Sequence, residues 1–240
     1  ILPVPPLVVE SQIEAVLKDM PVKATKTGML YSKAIMDVVA EAIDRHKLWV
    51  VVDPVFQAGT GDLLVRERDK EALIEKIVPR AFILTPNMPE AEEIAQLKIR
   101  KVEDMWRAAE SIAKLGAKAV VVMGGHLKGA EVTDVLYYEG EFKTFKKPRV
   151  EVDTHGGGCT FSAAIAAYLA LDYNVVEAVT KAEQFMHNAI TFGWRVGRGR
   201  VPVNPMAQLY NEAEKFLVLE NVSSAVRMVE ENPEFLPYIA

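Results

Sequence analysis

The sequence predicts an α/β fold, with a central sheet of mainly parallel strands and helices packed on its faces. Three observations carry that expectation. Short β-branched apolar runs recur at residues 49–52, 81–84 and 119–123, each closed by polar, proline or glycine residues. Helical periodicities separate these runs, so each strand can return parallel to the one before it. Of the 240 residues, half are hydrophobic and a quarter charged, the balance of a chain that buries a core.

Taken in order, Ile13, Val16, Leu17 and Met20 share one face of a first helix, which Ser11 and Glu14 would open as a capping box. Residues 22–25 read as a short strand and Gly28 as its breaker. Ser32 opens a second helix, in which Ile35, Val38, Val39, Ala42 and Ile43 repeat the spacing. Trp49-Val50-Val51-Val52 followed by Asp53-Pro54 is the pattern of a strand buried on both faces, with polar chemistry beginning at its C-terminal end. A helix over 71–77, a strand over 81–84, a helix over 102–115 and a strand over 119–123 follow. Glu139-Gly140-Glu141 separates apolar segments at 135–138 and 142–145, a hairpin that adds antiparallel strands on one side. From Phe161 the pattern is helical. The stretch Arg200-Val201-Pro202-Val203-Asn204-Pro205 marks a boundary, after which helices are expected at 206–219 and 223–231, the second capped by Asn221.

Charge and cysteine content exclude several classes of function. Twenty-eight Lys and Arg against 33 Asp and Glu give a net charge of −5, unsuited to a protein that mainly neutralises nucleic-acid phosphates. A local basic pocket for one phosphorylated small molecule is compatible with it. The single cysteine, Cys159, excludes an internal disulfide framework and a multi-cysteine zinc site, and indicates a reducing compartment. No run approaches the roughly 18–20 apolar residues of a membrane span, and residues 1–9 lack the basic start of a signal peptide. A cytoplasmic setting without membrane attachment is expected.

Open α/β sheets bind ligands beyond the carboxyl ends of their strands, which directs attention to four segments. In Asp153-Thr154-His155-Gly156-Gly157-Gly158-Cys159-Thr160, three glycines allow backbone N–H groups to turn inward together, and the helix that follows aims its positive end at the same point. That arrangement is an anion hole. Cys159 falls in the first turn, where the helix dipole should lower its pKa and favour a thiolate or general base; a lone cysteine is otherwise a small buried residue. The loop fits neither a Walker P-loop nor a Gly-x-Gly-x-x-Gly dinucleotide turn. In Thr85-Pro86-Asn87-Met88-Pro89-Glu90, the Asn87 and Glu90 oxygens suit a magnesium ion held mostly through water and phosphate. Taken alone, the same residues are better read as a proline-led helix start with an N-terminal Glu. Asp53, in Asp53-Pro54-Val55, serves equally as a magnesium or water ligand and as a turn residue. In Met123-Gly124-Gly125-His126 the glycines permit close approach of a nucleotide, whereas His126 alone reads as a turn histidine.

In this order the segments resemble the ribokinase-like superfamily, and within it the hydroxymethylpyrimidine and hydroxymethylpyrimidine phosphate kinases of thiamine biosynthesis. Thr25-Lys26-Thr27-Gly28-Met29-Leu30 is similar to the family's Lys-Ile-Gly-Met-Leu segment, and the block from Asp153 to Thr160 resembles its Thr-His-Gly-Thr-Gly-Cys-Thr signature. Gly197, Gly199, Pro202, Val203 and Asn204 look like its closing Gly-x-Gly-x-x-Pro-Val-Asn. The resemblance implies a three-layer α/β/α kinase body over residues 1–205 that transfers the γ-phosphoryl of ATP, with Mg2+, to hydroxymethylpyrimidine and its phosphate. It implies Cys159 as general base and Gly156, Gly157 and Gly158 with Cys159 as the anion hole. Thr85, Asn87, Gly124, Gly125, His126 and Thr154 fall on the nucleotide side, Gly28, Met29 and Val55 beside the pyrimidine, and Glu90 and Asp53 around magnesium. Relatives commonly form homodimers, so a dimer is expected.

Three departures from the family pattern accompany this. Gly157 replaces the anion-hole Thr, Met123 replaces a Lys that reaches the ATP phosphates, and about fifty residues that open family members with a glycine-rich strand segment have no counterpart, so the fold is expected to be N-terminally incomplete. Residues 206–240, from Leu219-Glu220-Asn221-Val222 to Glu231-Asn232-Pro233-Glu234 above all, resemble the opening of the thiamine phosphate synthase domain fused behind such kinases in bifunctional proteins. Two alternatives stand beside the pyrimidine kinase. One is a pyridoxal or other vitamin kinase of the same fold, disfavoured because pyridoxal kinases generally carry Asp at the position of Cys159. The other is a non-catalytic ligand-binding or oligomerisation module.

Overall fold

The computed structural model describes residues 1–58 and 61–232. Six strands, β1 (Thr25–Thr27), β2 (Val50–Val52), β3 (Ile83–Leu84), β4 (Ala119–Val122), β5 (Glu131–Tyr138) and β6 (Glu141–Pro148), lie side by side in chain order. The first four are parallel; β5 and β6 form an antiparallel hairpin on β4. A separate parallel pair joins β7 (Thr154–His155) to β8 (Val201–Pro202). The helices are α1 (Pro6–Asp19), α2 (Lys33–His46), α3 (Lys70–Ala72), α4 (Met88–Ala95), α5 (Val102–Ala113), α6 (Gly157–Ala170), α7 (Val175–Thr191) and α8 (Ala207–Glu231).

Strand side chains alternate between faces, and the core divides accordingly. Val50, Val52, Leu84, Val120 and Val122 pack on one face with Met36 and Val39 of α2 and Met105 and Ile112 of α5. Val51, Ile83, Ala119 and Val121 pack on the other with Ile165 and Leu169 of α6 and Val179 and Met186 of α7. The result is the expected three-layer α/β/α arrangement. The hairpin turn lies at Glu139 and Gly140, with φ +51° and +83°, the left-handed pair that matches strand twist.

Several expectations are corrected. Ser11 does not cap α1. The helix starts at Pro6, whose missing N–H costs nothing there, and the Ser11 hydroxyl donates to Leu7 O within it (2.8 Å), while Glu14 pairs with Arg45 and His46 of α2. The first strand is Thr25–Thr27 rather than 22–25, because it takes its register from Val50–Val52. The segment over 71–77 is composite: α3 widens into a π-helical turn at Leu73–Ile77 and closes as a 3-10 turn at Val78–Arg80, where Pro79 cannot continue the ladder. Asn221 caps nothing. It lies inside α8, since no proline or glycine interrupts 207–231. Pro233 and Glu234, cited in the resemblance to a second domain, lie outside the described residues.

Candidate active site

The carboxyl ends of the parallel strands open on a cavity of about 600 Å³. Asp53 and Val55 line it beyond β2, Asn87 and Glu90 beyond β3, Met123, Gly125 and His126 beyond β4, and Thr154 through Cys159 at the entry to α6. Segments dispersed over a hundred residues of sequence thus meet on one wall. Four of the expected site residues do not line it. Thr85 is fully buried, its hydroxyl donating to Val52 O (3.3 Å). Gly28 lines a second cavity of about 460 Å³ between α1, α2 and β1, and Met29 is 42% exposed beyond β1. Gly124 stands immediately behind the wall.

α6 begins at Gly157, four residues before the apolar stretch that marked it in sequence. Its N-cap is Gly156, at φ +86°, where only glycine is unstrained. Having no side chain, Gly156 leaves the first amides of α6 uncapped, and they meet the cavity as free donors at the positive end of the helix. The approach is held by β7, which pairs with β8, and Val203 N donates to His155 O (3.2 Å). Asp53, buried at the end of β2, receives Lys26 Nζ at 3.2 Å and the Ser162 hydroxyl at 3.5 Å. A β-carbon on Gly158 would stand 4.0 Å from Asp53 Oδ1 and 3.7 Å from Met123 Cε, so carboxylate and thioether both face the start of α6.

The expectation of a lowered Cys159 pKa is corrected. Partial burial and the Asp53 carboxylate push the thiol above its ordinary value, and the opposing pull of Lys26 is smaller. The residue itself is open to the cavity. A thiol of this kind is scarce as thiolate at rest and strongly basic once ionised.

Asn87 and Glu90 form a reciprocal capping box at α4: Glu90 N donates to Asn87 Oδ1 (3.0 Å) and Asn87 N to Glu90 Oε2 (2.9 Å). The helix-start reading of this pair therefore describes the observed bonds. Burial pushes Glu90 up to about 8, and nearby Asp53 adds to the shift. Among the described residues no cluster of three His, Cys, Asp or Glu side chains can enclose a metal ion. Asp53 and Glu90, both buried at the cavity wall, would fit Mg2+ held chiefly through water and substrate oxygens once Glu90 has lost its proton.

Four side chains that patterning did not single out belong to the surroundings. Lys26 holds Asp53; Asp134 accepts from Gly124 N (2.7 Å) and from Lys147 Nζ (2.7 Å). Arg149 donates to Gly129 O (2.8 Å), Gly125 O (3.0 Å) and Leu127 O, clamping the turn after β4. For Lys26 a signal existed, since it lies inside the segment that resembles the family; the others lie on the hairpin, where no strand-end rule points.

Solved kinases share this fold, which places the chain, with its uncapped helix N-terminus, cysteine and two buried acidic side chains at the ends of a parallel sheet, among the ribokinase-like kinases. An ADP complex of a Bacillus subtilis pyridoxal kinase superposes with a TM-score of 0.80 at 32% identity, covering 87% of this chain and 79% of that one. The phosphomethylpyrimidine kinase family matches residues 1–204, and the chain belongs to that family. A hydroxymethylpyrimidine/phosphomethylpyrimidine kinase of Rhizobium meliloti is 42% identical over 203 residues, 82% of this chain and 76% of that protein. The thiamine biosynthesis bifunctional protein ThiED of Geobacter sulfurreducens is 40% identical over 203 residues; the chain spans 84% of itself and 41% of that longer protein in the match.

Proposed function

We propose that this chain carries out the ATP-dependent phosphorylation of hydroxymethylpyrimidine and its monophosphate, the reaction its relatives are named for. The observation that carries the reading is Cys159 in the first turn of an uncapped helix that opens on the same cavity as Asp53 and Glu90. In this reading the backbone N–H groups from Gly157 to Cys159 stabilise the charge that develops on the transferring phosphoryl, a preorganised array that needs no rearrangement as the reaction proceeds. Cys159 takes the proton of the attacking hydroxyl or phosphate oxygen. The base is the minority of Cys159 present as thiolate, which becomes the thiol as it takes the proton; its raised pKa makes that thiolate the stronger proton acceptor.

Glu90 and Asp53 would hold Mg2+ through its waters, and the ion would supply charge neutralisation at the nucleotide phosphates. Asn87 shapes this corner as the N-cap of α4. Gly125, His126 and Thr154 would form the nucleotide side with Gly124, and Val55 is the candidate for the pyrimidine side; for Gly28 and Met29, which do not line this cavity, that role rests on the resemblance alone. Residues 1–205 are the kinase body in this reading, and 206–240 a helical connection to a second unit, as the bifunctional relative's name suggests. No described helix is long and apolar enough to cross a membrane; the reading of a cytoplasmic homodimer is taken from the family resemblance.

Cysteine in place of an acidic base favours the pyrimidine over pyridoxal as acceptor. The test is turnover of MgATP with hydroxymethylpyrimidine phosphate by the wild-type chain and by Cys159→Ala. The substitution should lower the rate about 10²-fold or more while leaving nucleotide binding intact. Wild-type turnover of pyridoxal in preference to the pyrimidine, or an unimpaired Cys159→Ala, would overturn the assignment.

A further inference from the structure

Behind the nucleotide-side wall lies a charged cluster to which the reaction above gives no role. Asp134 on β5 and Lys147 on β6 share one face of the hairpin, because Lys147 stands opposite Val132, two residues from Asp134. Lys147 Nζ donates to Asp134 Oδ2 at 2.7 Å and to Glu183 Oε2 of α7. The side chains of Lys147, Asp134 and Glu183 are only 20%, 6% and 7% exposed. Lys147 and Asp134 reach the cavity lining.

Buried ion pairs of this kind add little net stability compared with apolar residues of the same size, so their use lies elsewhere. The β4–β5 ladder ends at the pair Val122 and Val135. Beyond it, Gly124 N has left the ladder and donates to Asp134 Oδ1 (2.7 Å), so a side chain takes over where backbone pairing stops. Gly124 stands so close to the Thr133 carbonyl that no side chain fits there. One carboxylate therefore holds Gly124 N, while Arg149 clamps the rest of the turn through Gly125 O. That carboxylate is in turn oriented by one ammonium, anchored to α7.

We propose that Lys147 is a positioning residue for the nucleoside triphosphate. Through Asp134 it fixes the Gly124-Gly125 turn against the ligand, and through Glu183 it ties that turn to α7. The inference rests on the kinase reading of the cavity. Two carboxylates around one ammonium leave a surplus negative charge, which the cluster relieves by holding a proton on Glu183: burial and Asp134 push its pKa up to about 8. Glu183 Oε1 is buried without a hydrogen-bond partner in the described structure, in keeping with a carboxyl that anchors by its other oxygen.

The test compares Lys147→Met and Lys147→Arg with the wild type in the full chain, titrating the non-hydrolysable analogue AMP-PCP and measuring KM for ATP and for hydroxymethylpyrimidine phosphate separately. Lys147→Met should weaken AMP-PCP binding and raise KM for ATP about tenfold, leaving KM for the pyrimidine within about twofold, and Lys147→Arg should recover most of the loss. A folded Lys147→Met that binds AMP-PCP as the wild type does, or that raises both KM values alike, overturns the proposal. If Lys147→Met does not fold, Asp134→Asn, which keeps the shape and removes the charge that orients Lys147, must show the same split between the two substrates; equal effects on both again overturn it. Wild-type protein that fails to bind AMP-PCP at all would instead remove the kinase reading on which the proposal stands.

Discussion

Replacing Gly124 by alanine tests the geometry of the nucleotide-side wall with an internal control one residue away. The added methyl would overlap the Thr133 carbonyl oxygen and lie 3.0 Å from Met105 Cε and 3.1 Å from the Thr133 carbonyl carbon. Ordinary non-bonded separations are about 3.5–4.0 Å, so the β4 exit or the β5 backbone must move by roughly 1 Å or more. Overpacking of this kind costs about 1–3 kcal/mol. Pulling Gly124 N away from a buried charged acceptor costs about 1.5–3 kcal/mol more. At about 2–4 °C per kcal/mol for a chain of this size, the melting temperature should fall by roughly 5–24 °C. A displacement near 1 Å beside the reacting groups should also slow phosphoryl transfer about 10²-fold. At Gly125 a methyl meets nothing within 4 Å, so Gly125→Ala should melt within about 0.5 kcal/mol of the wild type. Differential scanning calorimetry and AMP-PCP titration of both variants decide the matter. A Gly124→Ala protein that melts and binds as the wild type does, or a Gly125→Ala protein equally damaged, would refute the reasoning.

Met123→Lys places an ammonium where a thioether now faces Gly158, beside the uncapped start of α6. It should raise kcat/KM for ATP about tenfold, and a fall would show that this side chain does not face the transferring phosphoryl. Glu183, held at about 8 in the fold against an ordinary 4.5, keeps its proton on folding where the unfolded chain has lost it. Stability is therefore full at low pH and declines as pH rises toward 8. Glu183→Gln should flatten the fall of melting temperature between about pH 5 and 8, leaving the share due to Glu90, which is also raised to about 8. Identical slopes in wild type and variant would exclude Glu183 as a source of the decline.

The parts of this fold that were legible in sequence are those whose signal is local. Val50 to Val52 announce a doubly buried strand because both faces are covered, and Glu139-Gly140 announces a hairpin because few residues accept its backbone angles. The glycine triplet before Cys159 marked the uncapped start of α6 that lines the cavity. Misreadings arose where two local signals compete: Ser11 is a good cap, but Pro5 and Pro6 stop the chain earlier, and Asn221 is a good cap in a segment with nothing to end the preceding helix. The Cys159 pKa was misjudged because a helix terminus is visible in sequence, whereas Asp53, more than a hundred residues away, is not. Asp134, Lys147 and Glu183 are ordinary surface residues by composition, and only the hairpin register and the packing of α7 bring them together.

The small β7–β8 pair sets an order of events during synthesis. All six strands of the sheet have been made once Pro148 has emerged, yet the approach to Gly156 has no partner until Val201, Pro202 and Val203 arrive. At about 5–20 residues per second that delay is roughly 3–11 s, during which the nascent chain lacks the strand that holds the turn before α6 in place. The wall of the cavity at Gly156 is therefore fixed late, by a segment distant in sequence from the strands that form the rest of it.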